Sequence, residues 1–195
     1  MNMDFVDLPQ MLVWGLFSVS LIGIYAIFGM SIASFIFKNF QFFPPPAKSS
    51  WQHVSFRALF RLFLYPLLAL SVALFGDQPL SALITIAGVI MIFVGFGVAF
   101  RITFFMGWRN AFGEPTGLRT KGWFRYSRNP VYVATWIGLI GWGLVIPDPL
   151  IWVLLAFWGL LYLLAPLFEE PWLEREYGEA YLAYKKSTPR FLAGF

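Results

Sequence analysis

Long uncharged stretches separated by short polar clusters dominate the chain, and their lengths are those of membrane spans, about 20 residues to cross about 30 Å of hydrocarbon. Met11 to Phe37 carries no charge. It lacks a basic leader and is too long for a signal-peptide core, which predicts a retained span. A second span is predicted from about Val54 to Phe75, with Arg57 and Arg61 in its first two turns, and a third from about Leu80 to Met106, with Arg101 near its end. Long basic side chains at such ends can snorkel to the headgroups. From Val131 to Phe168 the only charge is Asp148, and Pro147-Asp148-Pro149 divides that run into two short helices joined by a tight turn. The pattern therefore predicts an all-α polytopic membrane protein with about five transmembrane helices, the last two a short hairpin, followed by a cytoplasmic C-terminal helix.

Composition removes the competing classes. Hydrophobic residues make up 59% and charged residues 12%, too few charges to coat a soluble domain, where they are about 25%. The 23 Phe, 9 Trp and 8 Tyr exclude disorder. Without Cys, and with His53 as the single His, neither a disulfide scaffold nor a metal site is expected. The net charge of +4 is scattered between apolar runs rather than gathered in a stripe, so nucleic acid is not an expected partner. If the spans alternate, all 14 basic residues fall on one side. The positive-inside rule makes that side cytoplasmic, with the N-terminus outside, in an inner or plasma membrane, or in the endoplasmic reticulum of a eukaryote. The lipid bilayer is the first partner.

Chemistry is then confined to two cytoplasmic segments, which divides the chain into an N-terminal membrane region, 1–106, and a catalytic region, 107–195. The stretch containing Pro44-Pro45-Pro46 reads as an extended linker without function. The first segment, Gly107 to Pro130, is a basic aromatic loop with Gly107, Gly113, Gly117 and Gly122. It either approaches a ligand through backbone amides or simply turns the chain at the headgroups. No Rossmann or P-loop fingerprint is present. The second segment opens with Glu169-Glu170 between Pro166 and Pro171. Pro171 suits the first turn of a new helix, so the two acids either cap it or form a counter-charge for a cationic ligand, one of them acting as a base. Glu174, Glu176, Glu179 and Lys185-Lys186 read as a solvated face. Trp172, Tyr177, Tyr181 and Tyr184 read as an interfacial belt.

The run Gly122-Trp123-Phe124-Arg125-Tyr126-Ser127-Arg128-Asn129-Pro130-Val131-Tyr132, a short hairpin, Glu169-Glu170, and Tyr177-Gly178-Glu179-Ala180-Tyr181-Leu182-Ala183-Tyr184 follow one another in order. Together they resemble the isoprenylcysteine carboxyl methyltransferase and phospholipid methyltransferase superfamily. The resemblance implies methyl transfer from S-adenosylmethionine at the cytoplasmic membrane face. It implies cofactor contacts from Thr116, Gly117, Leu118, Arg119, Phe124, Asn129, Pro130, Val131, Tyr132 and Glu169. Glu170 is the candidate base or acceptor-orienting group, with Arg128 beside it as the second candidate catalytic residue.

Two departures bear on the acceptor. Asn129 stands where prenylcysteine enzymes carry His, and it cannot titrate near neutrality. Those enzymes also carry an Arg shortly before the glutamates, associated with the acceptor carboxylate, where this chain has Leu163-Leu164-Ala165-Pro166. A lipophilic amine or thiol, such as a phospholipid headgroup amine entering from the bilayer, fits better than a prenylcysteine carboxylate. The alternatives are isoprenylcysteine-type carboxyl methylation, an NADPH-dependent membrane reductase of similar architecture, and a scaffold or transporter in which Arg128, Glu169 and Glu170 merely pair.

Overall fold

A computed structural model describes residues 8–37, 40–43, 45, 50–76, 81–107 and 117–192. These residues form five α-helices and a short 3₁₀ turn: α1 Leu8–Ile36, α2 Trp51–Ala73, α3 Ala82–Met106, the turn Gly122–Arg125, α4 Pro130–Val145 and α5 Pro149–Ser187. No strand occurs among them. Caps set the starts. Ser50 accepts from the His53 amide at 3.2 Å, Ser81 from Ile84 at 3.3 Å, and Asp148 from Leu150 at 2.8 Å, with Pro149 in the first turn of α5.

Four helices, α1, α2, α3 and α5, are long and apolar enough to cross a bilayer, and α4, at 16 residues, is a shorter apolar helix. Their outward side chains suit hydrocarbon: Leu83 is 78% and Phe93 75% exposed. So much apolar surface would not stay dissolved in water. The chain is an integral membrane protein.

Small residues let the helices approach one another. α1 lies along α2, where a Cβ at Gly23 would meet the Phe63 amide nitrogen at 2.7 Å and Ser20 Oγ donates to the Phe63 carbonyl at 2.9 Å. α3 lies along α4 through Gly88 and Gly95 on one helix and Gly138 and Gly141 on the other. The glycines thus pack within the chain. α5 folds back on α4, with Trp136 Nε1 donating to the Gly159 carbonyl at 3.0 Å, and it also touches α1 and α2. Phe60, Phe63 and Trp158 stack edge to face at the centre of the resulting core.

Two local expectations are corrected. No new helix starts at Pro171, because α5 runs through both Pro166 and Pro171. Each proline removes one backbone hydrogen bond, and packing on both sides carries the helix across the gap. Glu169 and Glu170 therefore lie in a helix interior and cap nothing. The break comes later, at Gly178, whose φ of 51° suits glycine. The linker before α2 is also not idle: Phe42 and Phe43 are buried against Ala165, with Phe56 and Tyr132 packed alongside.

Candidate active site at the α4–α5 junction

The residues singled out in the sequence converge on one cavity of about 520 Å³. Gly117, Leu118, Arg119, Phe124, Arg128, Asn129, Pro130, Val131, Tyr132, Glu169 and Glu170 all line it. Thr116 lies outside the described residues. α4 delivers Pro130 to Tyr132 in its first turn, α5 delivers the two acids, and the segment 117–129 crosses between them. The wall also includes residues the sequence did not assign to a site. Tyr177, Tyr181 and Tyr184, read as interfacial anchors, line it, and Tyr181 and Tyr184 are buried. Their spacing is the same for a cavity wall and for a membrane belt, so only the tertiary packing separates the two.

The adjacent acids have different partners. Tyr132 Oη donates to Glu169 Oε1 at 2.6 Å, and the Tyr132 ring lies 4.6 Å from that of Tyr162. Glu169 Oε2 has no partner among the described residues. Glu170, with a side chain only 7% exposed, is instead surrounded by cations. Arg190 grips it with two hydrogen bonds, Nε to Oε1 at 2.8 Å and Nη2 to Oε2 at 2.9 Å. Arg128 lies at 3.0 Å and Lys185 at 3.3 Å, the latter also reaching Glu174 at 2.7 Å. Hydrogen bonding to Glu170 pushes the Arg190 guanidinium above its ordinary value, so the pair stays charged.

Arg190 was not foreseen. Its backbone carbonyl accepts from Asn129 Nδ2 at 2.9 Å and from Ser127 Oγ at 3.3 Å, while Pro189 O accepts from the Arg128 amide at 2.9 Å. The segment after α5 is thereby sewn to the turn before α4. Asn129 spends its side-chain donor on this fastening. The available signal was a lone cation following a helix end in Thr188-Pro189-Arg190; its pairing over 20 positions left no local pattern.

The fastening is testable. Arg190→Gln should lower thermal stability in detergent by about 1–2 kcal/mol, since the lost cation is partly exposed and Arg128 and Lys185 still neutralise Glu170. Lys186→Gln, an exposed change one residue beyond Lys185, should leave the melting temperature in place. Equal melting of both variants would show that the clasp contributes nothing.

Chemically, the cavity offers one carboxylate with an uncommitted oxygen, several aromatic faces, and cations. Arg128 Nε is buried with no acceptor among the described residues. No group of three or more His, Asp or Glu is disposed to hold a metal among them. A sequence model of the phospholipid methyltransferase family matches residues 83–180, from the first turn of α3 to the second part of α5. Neither a curated protein nor a solved structure matches the chain.

Proposed function

The chain belongs to the phospholipid methyltransferase family, and we propose that it moves the methyl group of S-adenosylmethionine onto a lipophilic acceptor, a lipid amine or thiol, at the cytoplasmic membrane face. The observation that carries the reading is that Glu169, held by Tyr132, lines one cavity together with Gly117 to Arg119 and Asn129 to Tyr132.

The lining fits this cofactor by its donor set. A sulfonium and an ammonium call for a carboxylate and aromatic faces, supplied by Glu169 with Phe124, Tyr132, Tyr162 and Tyr177. A carboxylate calls for N–H donors, and Arg119 and Arg128 line the same space. Gly117 to Arg119, Phe124, and Asn129 to Tyr132 would complete the enclosure.

When bound, S-adenosylmethionine supplies a methyl group on positively charged sulfur, open to in-line displacement by nitrogen or sulfur. The chain's residues then align and exclude water. Tyr132 fixes the rotamer of Glu169, so that the carboxyl group is oriented before a cation arrives. In this reading Glu169 Oε2, which Tyr132 leaves free, takes the proton that an amine acceptor releases. Glu170, with both oxygens committed to cations, is a positioning residue. It holds Arg128 and, through Arg190, the segment that carries Asn129.

Calorimetric titration of the full chain in detergent with S-adenosylhomocysteine tests the reading. Micromolar binding is expected, followed by transfer of labelled methyl to phosphatidylethanolamine or a small thiol. Labelling of prenylcysteine alone would move the acceptor to the carboxyl class. Protection from proteolysis by NADPH, without binding of the homocysteine nucleoside, would replace the methyltransferase with a reductase.

A further inference from the structure

The cavity has a cationic wall that lies outside the family match and that the proposed chemistry does not use. Arg57 and Arg61, one turn apart on α2, both line it, together with Phe43, Phe56 and Phe60. Snorkelling alone would require only that they reach the headgroup layer. Here they border the space that Glu169 borders, and both side chains are exposed. Neither has a carboxylate partner among the described residues. Two unpaired guanidinium groups at i and i+4 form a double fork suited to a tetrahedral or planar oxyanion.

The surroundings choose between possible anions. The Phe43 ring lies 5.4 Å from Phe56, and Phe56 stacks on Phe60 at 6.3 Å, so the cations sit against an aromatic wall. The same helix turns Val54, Leu62 and Tyr65 outward. A cationic pair between an apolar wall and a lipid-facing helix suits an amphiphile whose anionic group follows its chains into the cavity.

Resting on the methyltransferase reading, we propose that Arg57 and Arg61 bind the phosphodiester of the acceptor lipid and thereby select phospholipid amines over uncharged amphiphilic amines. The pair acts through affinity and touches no reacting atom. Removing it should therefore raise KM for a phospholipid acceptor and leave kcat nearly unchanged.

The test is native mass spectrometry of the full chain in detergent, titrated with dipalmitoyl phosphatidylethanolamine and with a dialkyl amine of equal chain length lacking phosphate. The unsubstituted chain should retain the phospholipid at least ~10-fold better, a step of 1.4 kcal/mol. R57Q/R61Q should lose that preference. Arg101→Gln, an exposed arginine on α3 outside the cavity wall, should keep it. Equal loss in Arg101→Gln would show bulk headgroup attraction and overturn the proposal, as would unchanged preference in the double variant. Titration with S-adenosylhomocysteine runs beside it. Loss of that binding in R57Q/R61Q, with lipid preference intact, would give the pair to the cofactor and also overturn the proposal. If the double variant does not fold, R57Q and R61Q singly carry the same comparison. Failure of the unsubstituted chain to bind the nucleoside would sink the methyltransferase reading while leaving the lipid arm readable.

Discussion

Glu169→Gln should weaken S-adenosylmethionine binding about 100-fold, close to 2.7 kcal/mol, while the protein stays folded. The substitution keeps the shape and keeps an oxygen to accept from Tyr132 Oη. Only the charge goes. In a cavity walled by aromatic rings, a carboxylate facing a cation is poorly screened, so losing it costs more than an exposed ion pair would. Glu170→Gln should behave in the opposite way. Its carboxylate pairs with Arg190, Arg128 and Lys185, so the variant should melt earlier, by about 3 kcal/mol, with a smaller loss of affinity in what remains folded. Calorimetry and thermal melting on the same two preparations separate the roles. Unchanged affinity in Glu169→Gln would remove Glu169 from the site, and a stable Glu170→Gln that no longer binds would exchange the two assignments.

The division between these neighbours marks the limit of what local pattern reveals. The spans were legible because hydrocarbon demands length and apolarity that no other environment demands. The turn at Pro147 to Pro149 was legible because proline and Asp148 act locally, one on φ and the other as a cap. Glu169-Glu170 could be recognised as chemistry but not apportioned, since their partners come from α4 and from the chain beyond α5. The helix start expected at Pro171 failed for a related reason. Proline lowers helical stability by a fixed local amount, and tertiary contacts to Tyr132, Arg128 and Arg190 outweigh it. Arg57 and Arg61 read equally well as snorkelling residues, because a cavity mouth at headgroup depth and the headgroup layer ask for the same side chains.

The second large effect is structural and reaches the site from a distance. Gly95→Ala should destabilise the protein by about 3 kcal/mol, lowering the melting temperature by on the order of 10 °C, although it adds one methyl group and improves helix propensity. The reason is what the methyl meets: the Gly138 amide nitrogen first, then its Cα at 2.7 Å and the Ala134 carbonyl oxygen at 2.8 Å. Those are backbone atoms of α4 and cannot swing aside. α3 and α4 must separate, which forfeits dispersion contacts along the whole seam. Gly138→Ala should cost less, because its new methyl would press at 2.9 Å on the Phe96 ring, a side chain that can turn. Gly97→Ala has nothing within 4 Å and should be neutral or slightly stabilising. The end of α3 supplies Thr103 and Met106 to the cavity, and the start of α4 supplies Pro130 to Tyr132. Parting the two helices therefore displaces lining residues on both, and nucleoside affinity should fall in the order of the melting temperatures. Melting curves for Gly95→Ala and Gly97→Ala that superimpose would mean that α3 and α4 are not in backbone contact, and the cavity assembled from them would have to be redrawn.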